Sequence, residues 1–318
     1  MTTTTGQDRH HPTHRIAIAS AGLALGLGLT GCTAGTHPVA STRALTTSNT
    51  STTTSGTSTA VPSAGPTPTP GAERDIVLAG RHFRARCDGS GPAVIAVADY
   101  GRSMDDTGSF LSNLAPHARV CLYDRLGVGR SDAALHAQTF DSLAGDLDGV
   151  ISALGLTRPV VVVGDMLGAP IALTWVSRHE KDARAVLLAM PSPPGFMGPR
   201  GALVRALPPK DPGDIELSNL WVELDRFDDA SCNRESLDPR SWDAYLRLPT
   251  TSTPLYDLVE ASAQSWPASV DATKVNQAWQ EGQSRVLRLS TSSALVTVAK
   301  PQDWPAAIRK TLERALES

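Results

Sequence analysis

The sequence predicts an α/β fold over residues 73–318, a mostly parallel central sheet flanked by helices. Two observations carry this reading. Apolar runs bounded by Gly, Pro or charge recur at residues 94–98 (VIAVA), 120–123 (VCLY), 160–163 (VVVV) and 185–189 (AVLLA). Apolar on both faces, such runs suit buried parallel strands. Helical spacing separates them, most clearly at Phe140, Leu143, Leu147, Val150, Ile151 and Leu154, with Asp141, Asp146 and Asp148 mostly on the wet side. Repeated β-α-β units give a parallel sheet with helices on both faces.

The remaining elements follow in order. Residues 75–79 and 82–87 are short strand runs separated by Gly80-Arg81, a hairpin pattern. Helical patterns cover 107–114, 140–154 and 169–178. Residues 191–262 break the rhythm; rich in Pro, Asp and Trp, with a helical stretch at 214–227, they read as a cap inserted between two core strands. The alternation then resumes with a helix over 272–289 and a strand at 295–299, and an amphipathic helix at 303–316 follows.

Lys plus Arg number 29 against 32 Asp plus Glu, so no basic surface is expected to hold a phosphate backbone and nucleic acid is excluded as a partner. The first residues carry Arg9 and Arg15, and residues 16–30 (IAIASAGLALGLGLT) are an apolar stretch too short to span a bilayer comfortably. That is the pattern of a secretory signal. It runs into Leu29-Thr30-Gly31-Cys32, which resembles the lipobox of bacterial lipoproteins. The resemblance implies that residues 1–31 are a removed signal peptide and that Cys32 is lipidated. The protein is then exported and anchored, through two or more acyl chains, to the outer face of the bacterial cytoplasmic membrane or cell envelope. From Thr33 to Ala72 the chain holds 13 Thr, 6 Ser, 5 Pro and 4 Gly, and only Arg43 carries a full charge. Such a stretch cannot bury enough apolar surface to offset its ordering entropy, so residues 32–72 read as a disordered tether.

One further resemblance covers most of the folded part. Asp124-Arg125-Leu126-Gly127-Val128-Gly129-Arg130-Ser131 follows a buried strand and resembles the D-R-x-G-x-G-x-S segment of α/β-hydrolases. Further on, VVVV-Gly164-Asp165-Met166-Leu167-Gly168 matches the context of that family's nucleophile elbow, G-x-S-x-G, between strand and helix. The resemblance implies a capped α/β-hydrolase fold and, by family, ester or amide hydrolysis. It also places the elbow glycines at Gly164 and Gly168 and the nucleophile at Met166.

A thioether has no proton to give and no anionic form. The family histidine, expected within residues 300–304 (KPQDW), is absent too, because the eight histidines end at His179. No realignment supplies a base of suitable pKa. The family acid has three neighbouring candidates, Asp257, Glu260 and Asp271, and Met190-Pro191 replaces the strand-end Asp the family often shows. Backbone donors do not depend on side-chain identity, so an oxyanion-hole-like set remains at Leu167, Tyr100, Gly101 and Arg102. Met166 then either floors an apolar pocket or fills it as packing. Asp165 reads as a carboxylate at a helix N-terminus, stabilised by the dipole. Ser103, Ser131 and Ser192 are ordinary turn residues, or else displaced nucleophiles with His136 or His179 as base.

With Cys32 lipidated, Cys87, Cys121 and Cys232 remain. In the sheet order of α/β-hydrolases the strands ending at Cys87 and opening at Cys121 are antiparallel neighbours, so these two are expected to be disulfide-bonded. No Cys/His cluster has metal-ligand spacing, and neither metal nor cofactor is expected. The reading is a lipid-anchored pseudo-hydrolase that binds an apolar or ester-like ligand, or an envelope partner, through its cap and pocket. The alternatives are an active esterase- or peptidase-type hydrolase with a non-standard site, and a structural envelope protein with a filled pocket.

Overall fold

The computed structural model describes residues 71–228, 235–261 and 265–317. The signal peptide, Cys32, nearly all of the tether and Cys232 lie outside the described residues. In chain order the elements are β1 (Glu73–Leu78), β2 (Arg81–Asp88), β3 (Ala93–Val97), α1 (Met104–Leu111), β4 (Arg119–Tyr123), α2 (Phe140–Ala153), β5 (Val160–Asp165) and α3 (Gly168–Val176). Then come β6 (Ala183–Ala189), α4 (Ala202–Ala206), α5 (Ile215–Asp228), α6 (Ser241–Tyr245), β7 (Leu255–Glu260), α7 (Ala272–Leu287), β8 (Ser293–Val298) and α8 (Trp304–Glu317). The sheet order is β1-β2-β4-β3-β5-β6-β7-β8. All pairs are parallel except those of β2, which is antiparallel to β1 and β4.

The central strands read as unbroken apolar runs because both faces are covered. Val160 and Val162 enter the core beneath α2 and α3, while Val161 and Val163 enter the core beneath α1 and α8. On α2 the predicted stripe is the buried face, and Thr139 caps the helix with its hydroxyl accepting from the Ser142 amide. Among the described residues no helix is long and apolar enough to cross a membrane.

Three boundaries differ from those expected. The β1–β2 turn is Ala79-Gly80, both at positive φ (50° and 77°), and Arg81 already belongs to β2. Two left-handed residues in a two-residue loop match the right-handed twist of the strands they join. Helix α1 begins at Met104 rather than 107, because Ser103 and Asp106 cap each other. The Ser103 amide donates to Asp106 Oδ2 at 2.9 Å and the Asp106 amide to Ser103 Oγ at 3.4 Å.

The third difference is the largest. Leu255–Glu260, placed by sequence inside the cap of about 191–262, is the core strand β7, paired with β6 and β8. Asp257 interrupts its apolar run in the sequence, yet the side chain is wholly buried. The cap is therefore the segment between β6 and β7. It has its own small core of Phe196, Leu203, Leu217 and Leu224, completed by Val270 and Val275 before and within α7.

Cys87 and Cys121 are direct partners across β2 and β4, with Cα atoms 4.1 Å apart, and form the expected disulfide.

Candidate functional site

The site lies at the C-terminal edge of β5, where the strand stops and α3 starts within three residues. A Cβ on Gly164 would meet Ala169 Cα at 2.7 Å, and one on Gly168 would meet the Val97 carbonyl oxygen at 2.0 Å. Both glycines are thus required by close approach of backbones, in the register the sequence suggested. Met166 between them has φ 46°, a left-handed conformation that costs a side-chain-bearing residue about 1–2 kcal/mol. Its amide donates to the Ala189 carbonyl at 2.9 Å, and its carbonyl accepts from the Ser192 amide at 3.2 Å. The elbow is held on both sides.

The backbone amides of Leu167, Tyr100, Gly101 and Arg102 are each taken by the protein itself. The Leu167 amide donates to Asp99 Oδ1 at 3.0 Å, and the Tyr100 amide donates to the same carboxylate. The Gly101 amide donates to the Glu235 carboxylate, and the Arg102 amide to the Asp99 carbonyl at 3.1 Å. The Asp99 side chain thus takes two of these amides, those of Leu167 and Tyr100.

Arg125 organises these acids. Its guanidinium is buried and donates to the carbonyls of Ala98 (2.6 Å) and Asp99 (2.8 Å) and to Glu235 Oε1 (2.6 Å). Burial pushes the Asp99 carboxyl above the ordinary carboxylate range, outweighing the amides of Leu167 and Tyr100 and the charges of Arg125 and Arg102. Burial likewise raises Glu235 against the opposing pull of Arg125. Asp165, expected to serve as an ionised carboxylate at the helix N-terminus, is instead the last residue of β5. Burial and then the charge of Asp99 push its carboxyl up to about 7. The acid that receives the Leu167 amide, just before α3, is Asp99.

The remaining motif residues hold the turn after β4. Asp124 accepts from the amides of Met104 (2.7 Å) and Arg130 (2.9 Å), and a Cβ on Gly129 would strike its carboxylate. Ser131 Oγ donates to the Asp124 carbonyl and accepts from the Arg84 amide, so its hydroxyl is a turn brace. Ser103 is the α1 cap already described. Of the three serines, only Ser192, nearly buried, sits against the elbow.

The described histidines lie elsewhere. His82 pairs with Asp75 on the β1–β2 hairpin. His117 and His136 are exposed, and His179 stacks on Trp175 just past the far end of α3. Where the family histidine was expected stands Trp304, whose indole N–H donates to Glu260 Oε1 at 3.0 Å. Of the three candidates for the acid, Glu260 ends β7 and takes that bond, Asp271 caps α7 through the Lys274 amide, and Asp257 is buried in mid-strand. An acid–indole pair thus stands after the last two strands. Among the described residues no group of three or more His, Cys, Asp or Glu converges as a metal site.

Asp99, Glu235 and the Glu260–Trp304 pair were not foreseen as site residues. Asp99 is adjacent to the recognised Tyr100-Gly101, which was the available signal. Glu235 arrives from 110 residues beyond Arg125, and no local pattern announces it.

An eight-stranded sheet with one antiparallel pair of junctions, a glycine-flanked elbow after β5 and a cap between β6 and β7 define a hydrolase-type scaffold. The chain belongs to the α/β-hydrolase fold family, whose sequence model matches residues 100–287. It is 24% identical over 111 residues to "Uncharacterized protein YqjL" of Bacillus subtilis (strain 168), a match spanning 35% of this chain and 44% of that relative. Among solved structures it is similar to the haloalkane dehalogenase DatA from Agrobacterium tumefaciens C58, with a TM-score of 0.52 and 19% identity over 77% of this chain and 96% of that one. A thermophilic esterase from Thermogutta terrifontis gives a TM-score of 0.52 and 18% identity over 77% and 99% of the two chains. A membrane phospholipase A gives 0.53 and 15% over 78% and 87%. At these identities the likenesses show the shared fold.

Proposed function

We propose that this protein is a lipid-anchored, non-hydrolytic member of the α/β-hydrolase family, a pseudo-hydrolase that binds an apolar ligand or an envelope partner beneath its cap. The observation that carries the reading is the Leu167 amide bonded to the Asp99 carboxylate beside a methionine elbow. A hydrolase needs a nucleophile and a vacant pair of donors for the oxyanion. Here the first is a thioether, and the Leu167 amide is already taken by the Asp99 carboxyl group. The same bond disfavours an ester carbonyl and leaves the half-buried side chains of Met166 and Tyr100 as recognition surface, which favours an apolar ligand.

The test is turnover of p-nitrophenyl esters together with fluorophosphonate labelling. No turnover and no label are expected; turnover lost in Ser192→Ala would overturn the reading. Ser192 carries the alternative, a rebuilt esterase- or peptidase-type site, because its amide bonds the Met166 carbonyl. For the ligand, protein purified from membranes should release an apolar molecule on solvent extraction, and a clean extract favours the envelope partner or the structural role. For the anchor, Cys32→Ser should move the protein out of the membrane fraction, and continued fractionation there contradicts lipidation.

A further inference from the structure

We propose that β8 is the contact strand of a two-fold homodimer. The two ends of the sheet differ in kind. β1 carries Glu73, Arg74 and Asp75, charges of the sort that keep an edge from pairing with another chain. β8 reads Ser-Ala-Leu-Val-Thr-Val, with neither charge nor proline, and among the described residues no strand pairs with its outer edge.

The direction of its backbone groups fixes what can add there. The Leu255 amide donates to the Ser292 carbonyl at 2.8 Å and the Ala261 amide to the Val298 carbonyl at 2.9 Å. Even-numbered positions of β8 therefore face β7, and by alternation Ser293, Leu295 and Thr297 turn their N–H and C=O groups outward. An antiparallel second copy centred on Leu295 sets Leu295 opposite itself, and Ser293 opposite Thr297 on both sides. Each of these pairs exchanges two N–H···O bonds. The side chains match across the axis, Leu against Leu between two Ser–Thr pairs, as favourable cross-strand neighbours do. Leu295 is an exposed large apolar side chain at 52%, so the pairing also covers it.

A second copy fits this edge because the edge is complementary to itself, the condition for an isologous contact.

Sedimentation of the full chain in detergent should give a dimer at micromolar concentration. Leu295→Lys, folded by circular dichroism, should raise the dissociation constant at least about tenfold, since two like charges meet on the axis. In a Cys232→Ser background, Leu295→Cys should give a covalent dimer on mild oxidation in membranes, while Val77→Cys, equally exposed on β1, should not. A wild-type monomer at about 100 μM, far above the range of a stable dimer, overturns the proposal. So does a dimer indifferent to Leu295→Lys, or equal cross-linking at positions 77 and 295.

Discussion

Replacing Asp257 by asparagine should stabilise the protein at pH 8 by about 4 kcal/mol. Asp257 sits in mid-β7 with no solvent exposure, and neither carboxyl oxygen has a hydrogen-bond partner. Burial pushes its carboxyl from 3.8 up to about 7. In the unfolded chain the group ionises near its ordinary value, while in the folded protein it keeps its proton until near neutrality. Unfolding therefore releases a proton between roughly pH 4 and 7, and stability falls across that window as pH rises. About three pKa units at about 1.4 kcal/mol each give the 4 kcal/mol, fully expressed above pH 7. Asparagine has nearly the same shape and does not titrate, so its advantage should grow by about 3 kcal/mol from pH 5 to pH 8. Urea unfolding of both proteins at several pH values measures this. Parallel curves, or a wild type that is the more stable at pH 8, would refute the argument that the carboxyl is buried without a charge partner.

Three other changes have defined outcomes. Removing the disulfide with Cys87→Ala and Cys121→Ala reopens a loop of 34 residues' separation and should cost about 4 kcal/mol in denaturant unfolding. Arg125→Met leaves Glu235 buried without its cation and should cost about 3–5 kcal/mol, read as a drop in the thermal midpoint. Gly168→Ala drives a methyl to within 2.0 Å of the Val97 carbonyl oxygen. The strand–helix contact must then open, costing more than about 3 kcal/mol or preventing soluble expression, whereas Gly145→Ala, where nothing lies within 4 Å, should be tolerated.

The parts of the fold legible in the sequence are those whose physics is local. β5 and β6 announce themselves because strands buried on both faces must be apolar throughout, and α2 because one face is wet. The elbow was legible through its glycines, whose spacing reflects two backbone contacts. β7 was missed because Asp257 breaks the run; the sequence shows a charge-capable residue, and burial keeps it protonated below about pH 7. The bond between the Leu167 amide and Asp99 was missed for another reason. Nothing near Asp99 says that its side chain will reach the Leu167 amide across 68 residues, or that Glu235 will settle on Arg125 from within the cap. Those contacts exist only once the sheet has brought three loops to one edge.

Met166 keeps the left-handed turn that serves a nucleophile elsewhere, although it has no nucleophile to present. Gly164 and Gly168 dictate that turn by letting α3 lie against β5 and the end of β3, whatever side chain stands between them. The strained residue is in this sense a joint of the building, set by how a strand is stopped and a helix begun in three residues. Presenting a nucleophile is one use of that joint, and here the joint stands with a methionine at its centre.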